Sequence, residues 1–145
     1  LLLNFKTLLG GPLEVLYYFS LGLSIFGFAI SLIREIIKDL QDYQGDFSVG
    51  ANTIPIVLGK KWTAILIQSM CLGLILMILY VNYFWLPELN IGKIPYTIYN
   101  GAFIVLLFTI ISSIRKSKNY QKESNICKII MTIGILSPVV YAINI

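Results

Sequence analysis

Four of the chain's seven acidic residues, Glu35, Asp39, Asp42 and Asp46, fall within one short stretch of the sequence. Their spacings are 4, 3 and 4 residues, so a helix would set them along one face. Like charges at such spacings repel, and a helix C-terminus already disfavours anions. Local helix stability therefore gives no reason for the pattern. A divalent cation does: carboxylates at short intervals suit Mg²⁺, which keeps several waters and completes its shell with substrate phosphates. Arg34 and Lys38 sit one turn apart on a neighbouring face, where they can contact phosphate or pair with the acids. The bland alternative is a charged helix end that is simply solvated. The residues that follow weigh against it. Gly50, Thr53, Pro55 and Gly59 make a Gly-rich, Thr-containing link of the kind a constrained loop needs. The spacing predicts a helix continuing over residues 34–44, with Gly45 as its C-cap.

The elements that must carry this cluster are membrane helices. Hydrophobic residues make up 57% of the chain and charged residues 12%, about half the charged share of a soluble domain. Mean hydropathy is +0.82. About 20 apolar residues cross a bilayer as a helix. Four spans are expected, near residues 13–33, 62–87, 94–114 and 126–145, around a motif region at 34–61. Together they make one membrane domain, residues 1–145. The expected fold is an all-α, multi-span transmembrane bundle. The opening Leu1–Lys6 reads as the end of an earlier membrane helix, and the chain as the C-terminal part of a larger protein.

Orientation follows from the basic residues. Arg34, Lys38, Lys60, Lys61, Arg115, Lys116, Lys118, Lys122 and Lys128 fall on one side, and Lys6 and Lys93 on the other. The nine-residue side is expected to be cytoplasmic, in a multi-pass protein of the inner or plasma membrane. Tyr80, Tyr83 and Trp85 would then form an interfacial belt on the outer side. Gly22, Gly27 and Gly73 are expected to allow close helix packing. No basic stripe with interleaved aromatics is present, so no nucleic-acid partner is expected. Histidine is absent, which removes the commonest general base. Cys71 and Cys127 form no metal-binding pair and read as packed apolar residues.

The run Arg34-Glu35-x-x-Lys38-Asp39-x-x-Asp42-x-x-Gly45-Asp46-x-x-x-Gly50-x-x-Thr53-x-Pro55-x-x-x-Gly59 resembles the second aspartate-rich motif of the UbiA superfamily of intramembrane prenyltransferases. The motif covers residues 34–61; elsewhere the resemblance lies only in hydropathy and orientation. It implies the C-terminal part of a nine-helix fold, with the motif on the cytoplasmic side. It also implies Mg²⁺-dependent transfer of a polyprenyl group from a prenyl diphosphate donor to a hydrophobic acceptor, within membrane lipid. By position, Asp42 and Asp46 would be the principal Mg²⁺ ligands and Asp39 a supporting one. Lys38 and Arg34 would contact the diphosphate, and Lys38, Asp42 and Asp46 would form the catalytic set. Thr53 would fix the loop or touch phosphate. Arg115 and Lys116 could reach the same face, although a positive-inside role accounts for them.

Two departures qualify the resemblance. The family's other motif, of the type N-D-x-x-D-x-x-x-D, is absent, and Glu14, Glu88 and Glu123 cannot build it. The chain thus holds half a metal site and is expected to be inactive alone. Asn52 stands where many members carry a basic residue. The acceptor stays open among naphthoquinone precursors, aromatic acids, haem and glycerol-phosphate lipids, with a lean toward lipid-type or broadly classed bacterial members. The competing reading is a non-catalytic membrane subunit or a cation-transporter fragment. That reading predicts acids near the bilayer midplane rather than at a span's end.

Overall fold

The computed structural model describes residues 12–85 and 93–143. Lys6 and the expected outer loop around Glu88 lie outside the described residues. Six α-helices follow one another: α1 (Pro12–Gln41), α2 (Tyr43–Ser48), α3 (Ile54–Leu58), α4 (Lys60–Tyr80), α5 (Lys93–Ser113) and α6 (Gln121–Ile143). A π-helical turn, Val81–Trp85, extends α4. No strand occurs among the described residues, so the fold is all-α as expected. Two segments, Ser20–Gln41 and Lys60–Tyr83, are long and apolar enough to cross a membrane, and Asn100–Ser113 is a shorter apolar helix. Within the first, the charge-free run ends at Ile33. Residues from Arg34 onward therefore stand beyond the apolar part of α1.

The four long helices close a ring in which α1 packs on α4 and α6, and α5 packs on α4 and α6. Side chains at helical spacing fill its centre: Ile30, Ile33 and Ile37 from α1, Ile67 and Cys71 from α4, Leu107 and Ile110 from α5, and Cys127 and Ile130 from α6 are all fully buried. Phe26 of α1 meets Phe103 of α5 edge-on, with ring centroids 5.2 Å apart. In a lipid surrounding, helices gain little by hiding apolar area from one another, so van der Waals packing and interhelical hydrogen bonds carry the association. Three such bonds also show neighbours running antiparallel. The Gln68 amide donates to the Ile111 carbonyl at 2.7 Å, the Asn100 amide to Asn82 Oδ1 at 3.0 Å, and Gln41 Nε2 to Gln121 Oε1 at 2.8 Å. Asn100 thus has a role that the sequence did not disclose: it ties the start of α5 to the π-turn.

Gly22, Gly27 and Gly73 do not serve close packing within this chain. A Cβ built on any of them would meet nothing within 4 Å. The core is instead made by larger side chains such as Ile30, Ile33, Ile37 and Ile67.

The motif region departs from the expected course in one respect. Gly45 does not end the helix. The helix breaks at Asp42 and resumes through Gly45 to Ser48. The left-handed residue is Gly50, with φ 70°. Its N–H donates to Phe47 O at 3.3 Å, and Ala51 N–H donates to Asp46 O at 2.9 Å. These paired bonds form a Schellman cap, which needs a positive φ five residues beyond the position first assigned. The space around Gly50 is open, so substitution there tests backbone strain alone. Gly50→Ala is expected to lower stability by roughly 1 kcal/mol. A Tm in detergent that does not fall would show that the cap contributes nothing.

Candidate functional site

The break at Asp42 is what aims the acids. Asp42 has φ −90° and ψ 7°, the sparsely populated bridge region between helix and strand. Its N–H still reaches Lys38 O at 2.9 Å, and its carbonyl still accepts from Asp46 N–H at 3.0 Å. An Asp in the capping position usually spends its carboxylate on the first N–H groups of the helix. Asp42 makes no such side-chain bond. Asp42 is exposed.

A pocket of about 630 Å³ opens at this point. One wall is the stretch from Leu40 to Asp46. Facing it are Lys60 from the start of α4 and Lys118, Asn119 and Tyr120 from the α5–α6 connection. Two aspartates and two lysines from three parts of the chain thus line one cavity. Lys60 Nζ stands 4.3 Å from the centre of the Tyr43 ring, a cation–π contact. That ring stacks on Phe47, with centroids 6.4 Å apart and planes 14° from parallel.

The other residues singled out from sequence lie around this pocket rather than on it. Asp39 is half-buried. Burial first, and then the charges of Asp46, Glu35 and Asp42, raise its carboxyl above the ordinary value, with Lys38 pulling the other way. Lys38 itself is exposed. Arg34 donates from Nη1 to Glu35 Oε1 at 2.7 Å. Thr53 begins α3 through its backbone, since its carbonyl accepts from Ile56 and Val57 at 3.0 and 3.1 Å. The Thr53 hydroxyl is buried without a hydrogen-bond partner. Arg115 and Lys116 are exposed and do not line the pocket; Lys118 does.

The carboxylates present a partial fit to a divalent ion. Among the described residues, no group of three His, Cys, Asp or Glu is gathered closely enough to hold a metal. Asp42 and Asp46 nevertheless line the same cavity, one helical turn apart, and the only ion pair among the described residues is Arg34–Glu35. Two unpaired carboxylates suit Mg²⁺ that completes its shell with water and phosphate oxygens.

The acid cluster has a consequence for stability. A carboxyl whose folded pKa is raised above 3.8 favours the folded state when protonated, below the unfolded value. That stability is lost as pH rises through the folded value. At neutral pH the Asp39 charge therefore works against folding. Asp39→Asn is expected to raise Tm at pH 7 and to leave it nearly unchanged below pH ~3.8. An unchanged Tm at pH 7 would show that neither burial nor the neighbouring carboxylates disfavour the Asp39 charge.

Sequence reasoning missed Lys60, Lys118, Asn119, Tyr120 and Tyr43. Both lysines read as positive-inside residues, and nothing in their spacing separates them from Lys61 or Lys116. The available signal was Tyr43 directly after Asp42, an aromatic ring placed where a cation could rest.

The UbiA prenyltransferase family matches residues 8–133. Digeranylgeranylglyceryl phosphate synthase of Pyrococcus furiosus is 30% identical over 118 residues, 79% of this chain and 39% of that protein. The synthase of the same name from Thermococcus onnurineus is 48% identical over 42 residues, 29% of this chain and 15% of that protein. The one from Methanobrevibacter smithii is 39% identical over 56 residues, 39% of this chain and 20% of that protein. The chain spans about two-fifths of the length of the Pyrococcus furiosus relative. No solved structure matches it.

Proposed function

This chain belongs to the UbiA prenyltransferase family, and we propose that it supplies the diphosphate-holding end of an enzyme that moves a polyprenyl group from its diphosphate to a glycerol-phosphate lipid. One observation carries the reading: Asp42, Asp46, Lys60 and Lys118 line a single pocket. A diphosphate carries several negative charges, and cleavage of the allylic C–O bond adds charge to the leaving oxygen. Ammonium groups fixed beside that oxygen favour the transition state over the bound donor. Asp42 and Asp46 would hold Mg²⁺, which when bound offsets the diphosphate charge and takes phosphate oxygens into its shell.

Asp39 supports these ligands from the preceding turn. Lys38 extends the positive field, and Arg34 joins it by exchanging Glu35 for phosphate. The unpaired Thr53 hydroxyl is a further donor available to the motif loop. As the C–O bond to diphosphate breaks, the acceptor hydroxyl oxygen forms the new C–O bond, and its proton passes to the departing diphosphate or to water.

The acceptor class rests on the relatives' name. Digeranylgeranylglyceryl phosphate holds two prenyl chains on one glycerol phosphate, so the matching acceptor is a glycerol phosphate lipid that already bears one. In this reading α1, α4, α5 and α6 all cross the membrane. At 21 and 23 residues, α5 and α6 reach the roughly 30 Å of a hydrocarbon core. The pocket lies on the cytoplasmic side, where nine of the eleven basic residues gather. The test offers labelled geranylgeranyl diphosphate to the full-length protein with a mono-prenylated glycerol phosphate and, separately, with quinone precursors. Label entering only the glycerol lipid fits the proposal. Label entering only a quinone precursor overturns the acceptor, and no transfer to either overturns the activity.

A further inference from the structure

The pocket's second wall, residues 118–120, belongs to a connection between helices, and something must hold it. Glu123 is the most unusual residue nearby. Its side chain is 1% exposed, although a glutamate is almost never fully buried unless paired. The Ser117 hydroxyl donates to Glu123 Oε2 at 3.1 Å. Glu123 stands in the first turn of α6, where the helix dipole favours an anion. Glu123 and Arg34 make no ion pair.

The connection is tied on either side of this bond. Lys116 and Ser117 both donate backbone N–H to Ser113 O, at 2.9 and 3.0 Å. Asn119 Oδ1 accepts from Gln121 N–H at 3.2 Å. Between these ties, Ser117 is the last residue before the pocket wall, and its side chain ends on Glu123. Tyr120, the far end of that wall, also feels Glu123, since burial and then this carboxylate raise its phenol pKa.

We propose that Glu123 is a positioning residue: through Ser117 it fixes the turn that presents Lys118, Asn119 and Tyr120 to the pocket, and so sets the affinity for a diphosphate group. The proposal rests on the reading of the pocket as a diphosphate site but does not need the transfer reaction to proceed. Gln at position 123 keeps an acceptor oxygen for Ser117, whereas Ala removes it. The charge is therefore dispensable and the hydrogen bond is not.

The experiment uses the full-length protein and two probes: inorganic diphosphate for binding, and geranylgeranyl diphosphate for steady-state kinetics. Glu123→Ala is expected to weaken diphosphate binding and raise the donor KM about tenfold, with kcat within about twofold. Glu123→Gln should restore both to within about twofold of the native protein. Lys118→Ala combined with Glu123→Ala should lose less than the product of the two single losses, because both act on the Lys118 contact. Ser117→Ala removes only the donor and should reproduce the KM effect, which covers the case in which Glu123→Ala does not fold.

A fall in Tm with Kd and KM unchanged would reduce Glu123 to a structural residue and overturn the inference. Multiplicative losses in the double variant would overturn it too. If the native protein transfers prenyl groups while Glu123→Ala leaves Kd unchanged, only this inference falls. If it binds diphosphate without transferring, the transferase reading falls, and the Kd values alone decide the role of Glu123.

Discussion

Asp42→Asn and Asp46→Asn are each expected to lower kcat/KM for prenyl transfer about a thousandfold, the size expected when several kcal/mol of charge stabilisation is lost. Asn keeps the shape and one carbonyl oxygen of Asp, so the change isolates the charge. Both carboxylates line the pocket, and Asp42 makes no cap bond that its loss would break. Folding should therefore survive, and a Tm within a few degrees of the native value is the accompanying expectation. The Mg²⁺ concentration for half-maximal activity should rise in both variants. The Asp39→Asn variant provides the contrast. Asp39 does not line the pocket, so its loss should cost far less activity while raising Tm. If Asp39→Asn proves as damaging as the other two, the donor set is a triad that includes Asp39. If Asp42→Asn retains full activity, the metal-site assignment fails.

The difference between Asp39 and its neighbours shows where sequence spacing stops being informative. An interval of 4, 3 and 4 places all four acids on one face, and the charges that raise the Asp39 pKa come from the other three acids of that run. Spacing could not show that the helix breaks at Asp42, because the break depends on the backbone torsion of a single residue. Nor could it show which glycine would cap the helix. Gly45 and Gly50 both suit a C-cap by type, and only the hydrogen bonds to Asp46 and Phe47 separate them. The apolar spans were legible because burial in a bilayer acts on composition over some twenty residues. Their packing faces were not, because each span is apolar nearly all round. Ile67 and Leu76 look alike in sequence, yet Ile67 is buried and Leu76 exposed. The facing wall of the pocket was illegible for a different reason. Lys118 lies 72 residues beyond Asp46, and no local pattern marks a contact made through the ring of four helices.

That long-range wall carries the second large effect. Lys60→Ala and Lys118→Ala should each raise the donor KM roughly tenfold to a hundredfold, the range for losing a charge-assisted hydrogen bond to phosphate. The combined variant should lose more than either. Lys60 offers a finer control, because its ammonium rests 4.3 Å from the Tyr43 ring centre. Removing the ring frees a flexible side chain that must then be ordered again by the donor. Tyr43→Leu should raise KM a few-fold, matching the ~0.5–1 kcal/mol of an exposed cation–π contact. Tyr43→Phe keeps the ring face and should be nearly silent. Equal losses in the Phe and Leu variants would point instead to the phenol, as a hydrogen bond to phosphate that the ring contact only accompanies. Lys61 and Lys116 are exposed and do not line the pocket, so their Ala variants separate a general positive field from fixed contacts. If Lys61→Ala and Lys116→Ala raise KM as much as the pocket lysines do, the donor is drawn by net charge alone. The effect should then fade with added salt, whereas a partly enclosed contact is screened much less.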